Sequence, residues 1–383
     1  MRSITFLFTG DFAPVRRYEK LVLKKGRDIF GDLQEDIFDA DVSFVNLESP
    51  LCLSDKAIKK SGPNLKAHPN CIEAIKGAGF DVVGLANNHI MDYGKEGLDE
   101  TFEACQQFKL DYSGAGENLK ESQKPLILER GGKKIAIIAV AEHEFSIAEV
   151  GKPGVAPLDP IDNTIQIEKA RREADFVFIT IHGGNEYFPY PRPGLKKLCR
   201  YFIDRGVDAV ICHHPHIPGA YEFYQSKPIV YSLGNILFDS KKPIKDWNNG
   251  YAFRLVYSME KKTLVSYEFI PYYQSVENMG IRKLHSVEKN KFLKRLDFFN
   301  KILLDEASYS FEWKNFCQRK ESNEILRQYS PVLFKGIGRL TKVISPKRFF
   351  LTKTTIRSKL NMIRCESHLE LLQTILEEEH NKK

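Results

Sequence analysis

Along the first two-thirds of the chain, apolar positions come in short runs, each followed at once by polar side chains able to do chemistry. Residues 4–8 read as a buried strand of the parallel-sheet kind, ending in Gly10-Asp11. Residues 41–45 form a second strand, followed by Asn46-Leu47-Glu48, and residues 80–85 a third, followed by Asn87-Asn88-His89. A strand over 175–181 runs into His182-Gly183-Gly184-Asn185-Glu186-Tyr187, and a short one after Gly206 into His213-His214-Pro215-His216. Helical periodicity fills the intervals. Over residues 28–40 it places Ile29, Phe30, Leu33, Ile37 and Phe38 on one face, and further helices read at 70–79, 97–108, 163–172 and 195–205. Gly131-Gly132 marks a hairpin, and residues 111–116 read as a turn. Residues 220–224 and 229–233 pattern as antiparallel strands, and alternation at 251–258 and 264–271 predicts strands that complete a second sheet. Strands alternating with helices make the class α/β.

From about Glu288 helical patterns dominate. The stretch 331–364 holds nine Lys/Arg and no acid, with Leu333, Phe334, Ile337, Leu340, Val343 and Ile344 in an apolar stripe. Two arrangements satisfy it: a helix packed on the core with a solvated basic face, or one lying on an anionic membrane surface.

Composition narrows the class only slightly. The 383 residues, 42% hydrophobic and 28% charged, suit a soluble globular protein of two or three domains. A net charge of +7 suits an anionic partner without naming one, and no nucleic-acid partner is expected. Seven cysteines with no CxxC pair read as free thiols in a reducing compartment. No signal peptide and no membrane-spanning run is read, so the expected location is cytoplasmic, with peripheral membrane contact through 331–364 left open.

Five strand ends in succession carry Asp11, Glu48, Asn88-His89, His182 and His214/His216. The C-terminal ends of parallel strands share one edge of a sheet, so these residues are expected to converge there. Alternation along extended chain puts His214 and His216 on one side and turns His213 away. Carboxylate, amide and imidazole donors without a thiolate favour divalent Mn, Fe or Zn over calcium or an iron–sulfur cluster. The number of donors exceeds what one metal needs, so two metal ions are expected. Glu186, Tyr187 and Asn235 are candidates for contacting substrate, while His143 and Asp92 suit structural roles equally well. His68, His285, His368 and His380 are read as surface or capping residues.

These motifs, in this order and followed by Gly234-Asn235, resemble those of the bacterial CapA family. Its members are poly-γ-glutamate and capsule biosynthesis proteins of the calcineurin-like metallophosphoesterase superfamily. The resemblance covers residues 3 to about 272, and it divides the chain into a domain at 1–275 and a helical, basic extension at 276–383. It implies a four-layer α/β/β/α sandwich. Asp11, Glu48, Asn88, His182, His214 and His216 would hold the metals, and His89 would protonate the leaving group. Two departures from the wider superfamily stand out: Asp11-Phe12-Ala13 lacks the first-motif histidine, and Glu48 stands where an aspartate is usual. The implied function is a metal-dependent phosphoester hydrolase serving a capsule or other anionic surface polymer. The alternatives are a non-catalytic component of a polymer-export machine and, third, amide hydrolysis by the same metals. The implied partners are an anionic polymer or phosphoester substrate and membrane-associated synthesis proteins.

Overall fold

The computed structural model describes residues 2–60, 62–277, 280–329 and 352–381, with side chains undescribed over 321–329. The stripe from Leu333 to Ile344 lies outside these residues. Sixteen strands are described: β1 (Ser3–Ala13), β2 (Val42–Leu47), β3 (Val82–Gly84), β4 (Asp111–Ser113), β5 (Ala115–Gly116), β6 (Leu126–Arg130), β7 (Lys133–Ala141) and β8 (Gly154–Val155), then β9 (Phe176–His182), β10 (Ala209–His213), β11 (Tyr221–Tyr224), β12 (Lys227–Val230), β13 (Asn235–Phe238), β14 (Asn249–Ser258), β15 (Leu264–Ser275) and β16 (Gly280–Lys283). The helices are α1 (Arg17–Lys25), α2 (Gln34–Phe38), α3 (Ile72–Ala78), α4 (Gly94–Gln107), α5 (Leu119–Ser122), α6 (Pro160–Glu173), α7 (Pro193–Asp204) and α8 (Ser286–Leu304), followed by α9 (Glu306–Tyr329), α10 (Lys353–Arg364) and α11 (Glu366–Asn381).

Two mixed sheets carry the fold. The first runs β16-β15-β14-β1-β2-β3-β4, with β13 also paired to β1, and the second runs β11-β12-β10-β9-β7-β6. Each has a parallel centre: β1 to β4 in the first, and β7, β9, β10 and β12 in the second. Period-two alternation sets the layers. In β1, Ile4, Phe6 and Phe8 face the second sheet, where the Phe6 and Phe178 rings lie 4.5 Å apart; Leu7 faces the opposite way, into a cluster with Phe30, Ile72 and Leu98. Val82 and Val83 divide in the same manner. Helices α6, α7 and α8 pack on the second sheet, giving helices outside two facing sheets.

Three expectations change. The pair β14 and β15 joins β1 in the first sheet, because β14 runs antiparallel to β1 from Ser3↔Ser258 to Phe8↔Phe253. The five functional strand ends come from both sheets, not from one parallel sheet: β1, β2 and β3 from the first, β9 and β10 from the second. Residues 111–116 contain two short strands, β4 and β5, rather than only a turn.

The helices after residue 286 pack into the core of the second sheet. Phe292, Leu296, Trp313, Phe316, Leu371 and Ile375 share one apolar cluster with its strands. Among the described residues no helix is long and apolar enough to cross a membrane.

Candidate metal centre

The site lies where the ends of both parallel centres meet. At its root, Gly10 presses against Gly234: a Cβ on Gly10 would sit 1.8 Å from the Gly234 carbonyl oxygen. That approach lets the Asp11 N–H donate to the same carbonyl at 3.1 Å, and the β1 pairing shifts register there. Asp11 is turned inward and fully buried. Its Oδ1 accepts from the Asn46 amide at 2.8 Å and its Oδ2 from the His214 N–H at 3.2 Å. The same Asn46 amide lies 3.2 Å from His182 Nδ1, so one side chain ties the two sheets together.

Glu48 is fully buried, and neither carboxylate oxygen has a hydrogen-bond partner among the described residues. Its Oε1 lies 3.6 Å from both His182 Nε2 and His216 Nε2. His182 Nε2 is also 3.1 Å from Asn88 Oδ1 and 3.2 Å from His214 Nδ1. A nitrogen that holds at most one hydrogen therefore faces two oxygen acceptors and a second imidazole nitrogen. The donors sort into two overlapping sets, Asp11–Glu48–His182 and Glu48–His214–His216, with ligand atoms in each within 4.8 Å of one another and Glu48 common to both. An orphaned carboxylate shared by two acceptor-rich sets fits divalent cations, because a buried charge needs a counter-charge.

The electrostatics agree with that reading. Burial pushes the Glu48 carboxyl well above its usual range, and the Asp11 charge adds to this. Burial opposes the charge on His216, yet the Glu48 and Asp11 carboxylates hold that imidazolium up to about 10. Burial likewise disfavours the charge on Asp11, but His213 and His216 hold its carboxyl well below the usual range. His182 is pushed down by burial and by His214.

The two C-terminal histidines arrive by a route the alternation argument does not contain. Strand β10 stops at His213, and His214 and His216 take positive φ values of 96° and 61°. Such backbone is strained for residues with a Cβ and persists where surrounding contacts impose it. The His213 ring lies 6.0 Å from that of Phe44, and its Nδ1 reaches 3.3 Å from Asp11 Oδ1, so alternation does not remove it from the neighbourhood of the cluster.

Asn87 shapes the next turn. Its Oδ1 accepts from the His89 and Ile90 N–H groups, and its amide donates to the Leu47 carbonyl. This presents Asn88 inward and His89 at the cleft. His89 Nδ1 lies 2.7 Å from Asp92 Oδ2, and the fully buried Asp92 is also ion-paired to Lys60. Burial and the Lys60 charge lower the His89 pKa, with Asp92 opposing them.

Of the substrate-side candidates, Glu186 is exposed and lines the cleft. Tyr187 is also exposed, with its ring 6.2 Å from that of Trp247. Asn235 does not face the cleft. It is fully buried, its Oδ1 lies 3.1 Å from His216 Nδ1, and its amide donates to the His216 and Trp247 carbonyls. It holds the His216 ring and leaves Nε2 toward Glu48.

The cleft has a volume of about 550 Å³. Sequence reasoning missed part of its boundary. His368 of α11 lines it and is not merely a surface or capping residue, and Lys320 and Asn361 stand on the same side. Asn46 was also missed; its spacing of two from Glu48 was the available signal, since such residues share a strand face. His143 pairs with Glu366, and His68 accepts from the Asn70 N–H in a helix cap.

Residues 5–240 match a family model described as bacterial capsule synthesis protein PGA_cap. Capsule biosynthesis protein CapA of Bacillus anthracis is 33% identical over 247 residues, which is 62% of this chain and 60% of that protein. PGA biosynthesis protein CapA of Bacillus subtilis (strain 168) is 32% identical over 276 residues, 69% of this chain and 70% of that protein. Similar solved structures include a phosphatase from Mycoplasma pneumoniae, at 17% identity and a TM-score of 0.48 over 73% of this chain and 99% of that one. Calcineurin-like phosphoesterase YfkN from Bacillus subtilis follows at 13% and 0.44, over 78% and 98%.

Proposed function

The chain belongs to the bacterial capsule synthesis family PGA_cap, and on that premise we propose that it is a metal-dependent hydrolase of phosphoester type acting in biosynthesis of a capsule or poly-γ-glutamate-like anionic polymer. The observation that carries the reading is Glu48: a fully buried carboxylate with no hydrogen bond among the described residues, shared by two donor sets, one of which reaches the open cleft through His214. Asp11, Glu48, Asn88, His182, His214 and His216 would hold two divalent ions of the Mn, Fe or Zn kind. When bound, such ions supply Lewis acidity and an activated water.

The chain's own residues do the rest. Asn46 and Asn235 fix the orientation of Asp11, His182 and His216 before any ligand arrives. His89 stands at the cleft wall with Nδ1 taken by Asp92, leaving Nε2 as the nitrogen that moves a proton to the leaving group. Asp92 is the positioning residue behind it, and Lys60 holds Asp92 in place.

The test is hydrolysis of p-nitrophenyl phosphate by the full chain with Mn²⁺, alongside metal analysis of the purified protein. Bound metal is expected, with turnover falling about 10²–10⁴-fold in His89→Ala while the metal stays bound. His216→Ala should lose metal and turnover together. Protein that carries no metal and takes none up defeats the proposal.

A second reading, a non-catalytic assembly component, draws on one observation. Where the wider superfamily carries a first-motif histidine, Ala13 is buried in an apolar cluster with Phe238 and Trp247. Metal binding without turnover of any aryl phosphate would favour it.

A further inference from the structure

The family match ends at residue 240, yet the cleft is not closed by that segment alone. One side is built from the strand-end loops, with Asn88, His89, Glu186 and His214. The other is built from the C-terminal helices, with Lys320 of α9, Asn361 of α10 and His368 of α11. That second wall is anchored from within. Arg192, buried, donates to both Glu142 and Glu370, and Ser367 donates to Glu142. Glu370 also accepts from the Gly194 N–H, and Trp313 Nε1 donates to Thr374.

The polar groups on this wall differ from those on the floor. Lys320 extends over the rings of Phe316 and Tyr187 at 5.5 and 6.0 Å, and no carboxylate pairs with it among the described residues. Lys60, the other cleft lysine, is already held by Asp92. The Asn361 amide sits 3.2 Å from His368 Nδ1, and its Oδ1 has no hydrogen-bond partner among the described residues. The strand-end side carries the metal-type donors, while the far wall offers the Lys320 cation and the Asn361–His368 pair; the cleft-lining Glu144 carboxylate lies within 4.8 Å of His368, which leaves Lys320 as the group that would take an anion.

Resting on the reading of this cleft as the substrate site, we propose that Lys320, Asn361 and His368 form a binding wall for the anionic part of a substrate remote from the reacting group. Lys320 takes a carboxylate or similar anion, and Asn361 with His368 takes neighbouring polar groups. Such remote contacts supply binding energy that helps decide which substrate is accepted and turned over. Specificity therefore resides in the C-terminal helices, outside the segment that defines the family.

The experiment titrates a γ-linked glutamate tetramer into the metal-loaded full chain by calorimetry, with metal content and p-nitrophenyl phosphate turnover measured in parallel. Lys320→Ala is expected to weaken tetramer binding at least tenfold, with Lys320→Arg restoring most of it. Asn361→Ala and His368→Ala are each expected to weaken it severalfold, and metal content should not change in any of these variants. Lys314→Ala, on the same helix but ion-paired to Glu378, removes an equal charge away from the cleft and should bind as wild type. No tetramer binding by wild type, equal loss in Lys314→Ala, or unchanged binding in Lys320→Ala would each overturn the proposal. Failure of the hydrolase reading shows separately, as missing metal or missing turnover.

Discussion

Two buried carboxylates near the cleft have opposite surroundings. Glu142 accepts from the Arg192 guanidinium and the Ser367 hydroxyl, and although burial opposes its charge, these partners hold its carboxyl below the usual range. Glu48 is at least as buried, has no hydrogen bond, and is pushed the other way. The fold satisfies one acid completely with its own donors and leaves the other bare among imidazoles. A bare acid is poor architecture, because an uncompensated buried charge is costly. The contrast separates an acid that holds the structure together from one whose bare surroundings are compatible with an external cation.

Breaking the satisfied acid should have the largest effect on stability. Arg192→Ala leaves Glu142 and Glu370 unpaired and should lower unfolding free energy by about 3–5 kcal/mol, read by urea denaturation. An unchanged midpoint would remove the distinction between the two acids. Next, Asn235→Ala frees the His216 ring and should weaken metal affinity roughly 10–100-fold, measured by competition with a chelator. Third, Glu48→Gln should lose metal yet leave the stability of metal-free protein within about 1 kcal/mol of wild type, since Glu48 makes no hydrogen bond among the described residues that the isosteric amide would lose. A collapse of the metal-free variant would show Glu48 to be architectural after all.

The smallest effect concerns pH. The hydrogen bond that His143 Nδ1 donates to the Glu366 carboxylate raises the His143 pKa, with burial opposing it. A histidine whose folded pKa is raised stabilises fully below its unfolded value near 6.5, and the contribution fades as pH rises through the folded value. His143→Gln should therefore flatten the decline in stability above pH 6.5, by no more than about 1 kcal/mol given that the pair is a third exposed. An identical pH profile for variant and wild type would show that the pair contributes nothing.

Much of this was legible in the chain because local pattern carried it. The run at 4–8 ending in Gly10-Asp11, and the strand ending in Asn46-Leu47-Glu48, display strand and chemistry side by side. Alternation in β14 shows that a strand exists but not which sheet takes it, so its pairing with β1 was out of reach. The directions of His214 and His216 follow from left-handed backbone that no alternation rule contains. Asn235 showed its polarity but not that its amide is spent on His216 and Trp247. The part played by His368 depends on contacts between remote segments, such as Glu142 with Ser367. Nothing local to either residue announces them.

That last contact has a consequence for synthesis. Glu142 and Ser367 are 225 residues apart, so at a translation rate of about 5–20 residues per second the partner emerges roughly 10–45 s later. In the later part of that interval, once His216 has emerged, the strand-end cluster can come together, with any cations the proposed site takes, while the cleft still lacks its far side. A nascent chain would thus be able to take up metal before it can discriminate among ligands, and selectivity arrives with the last helices.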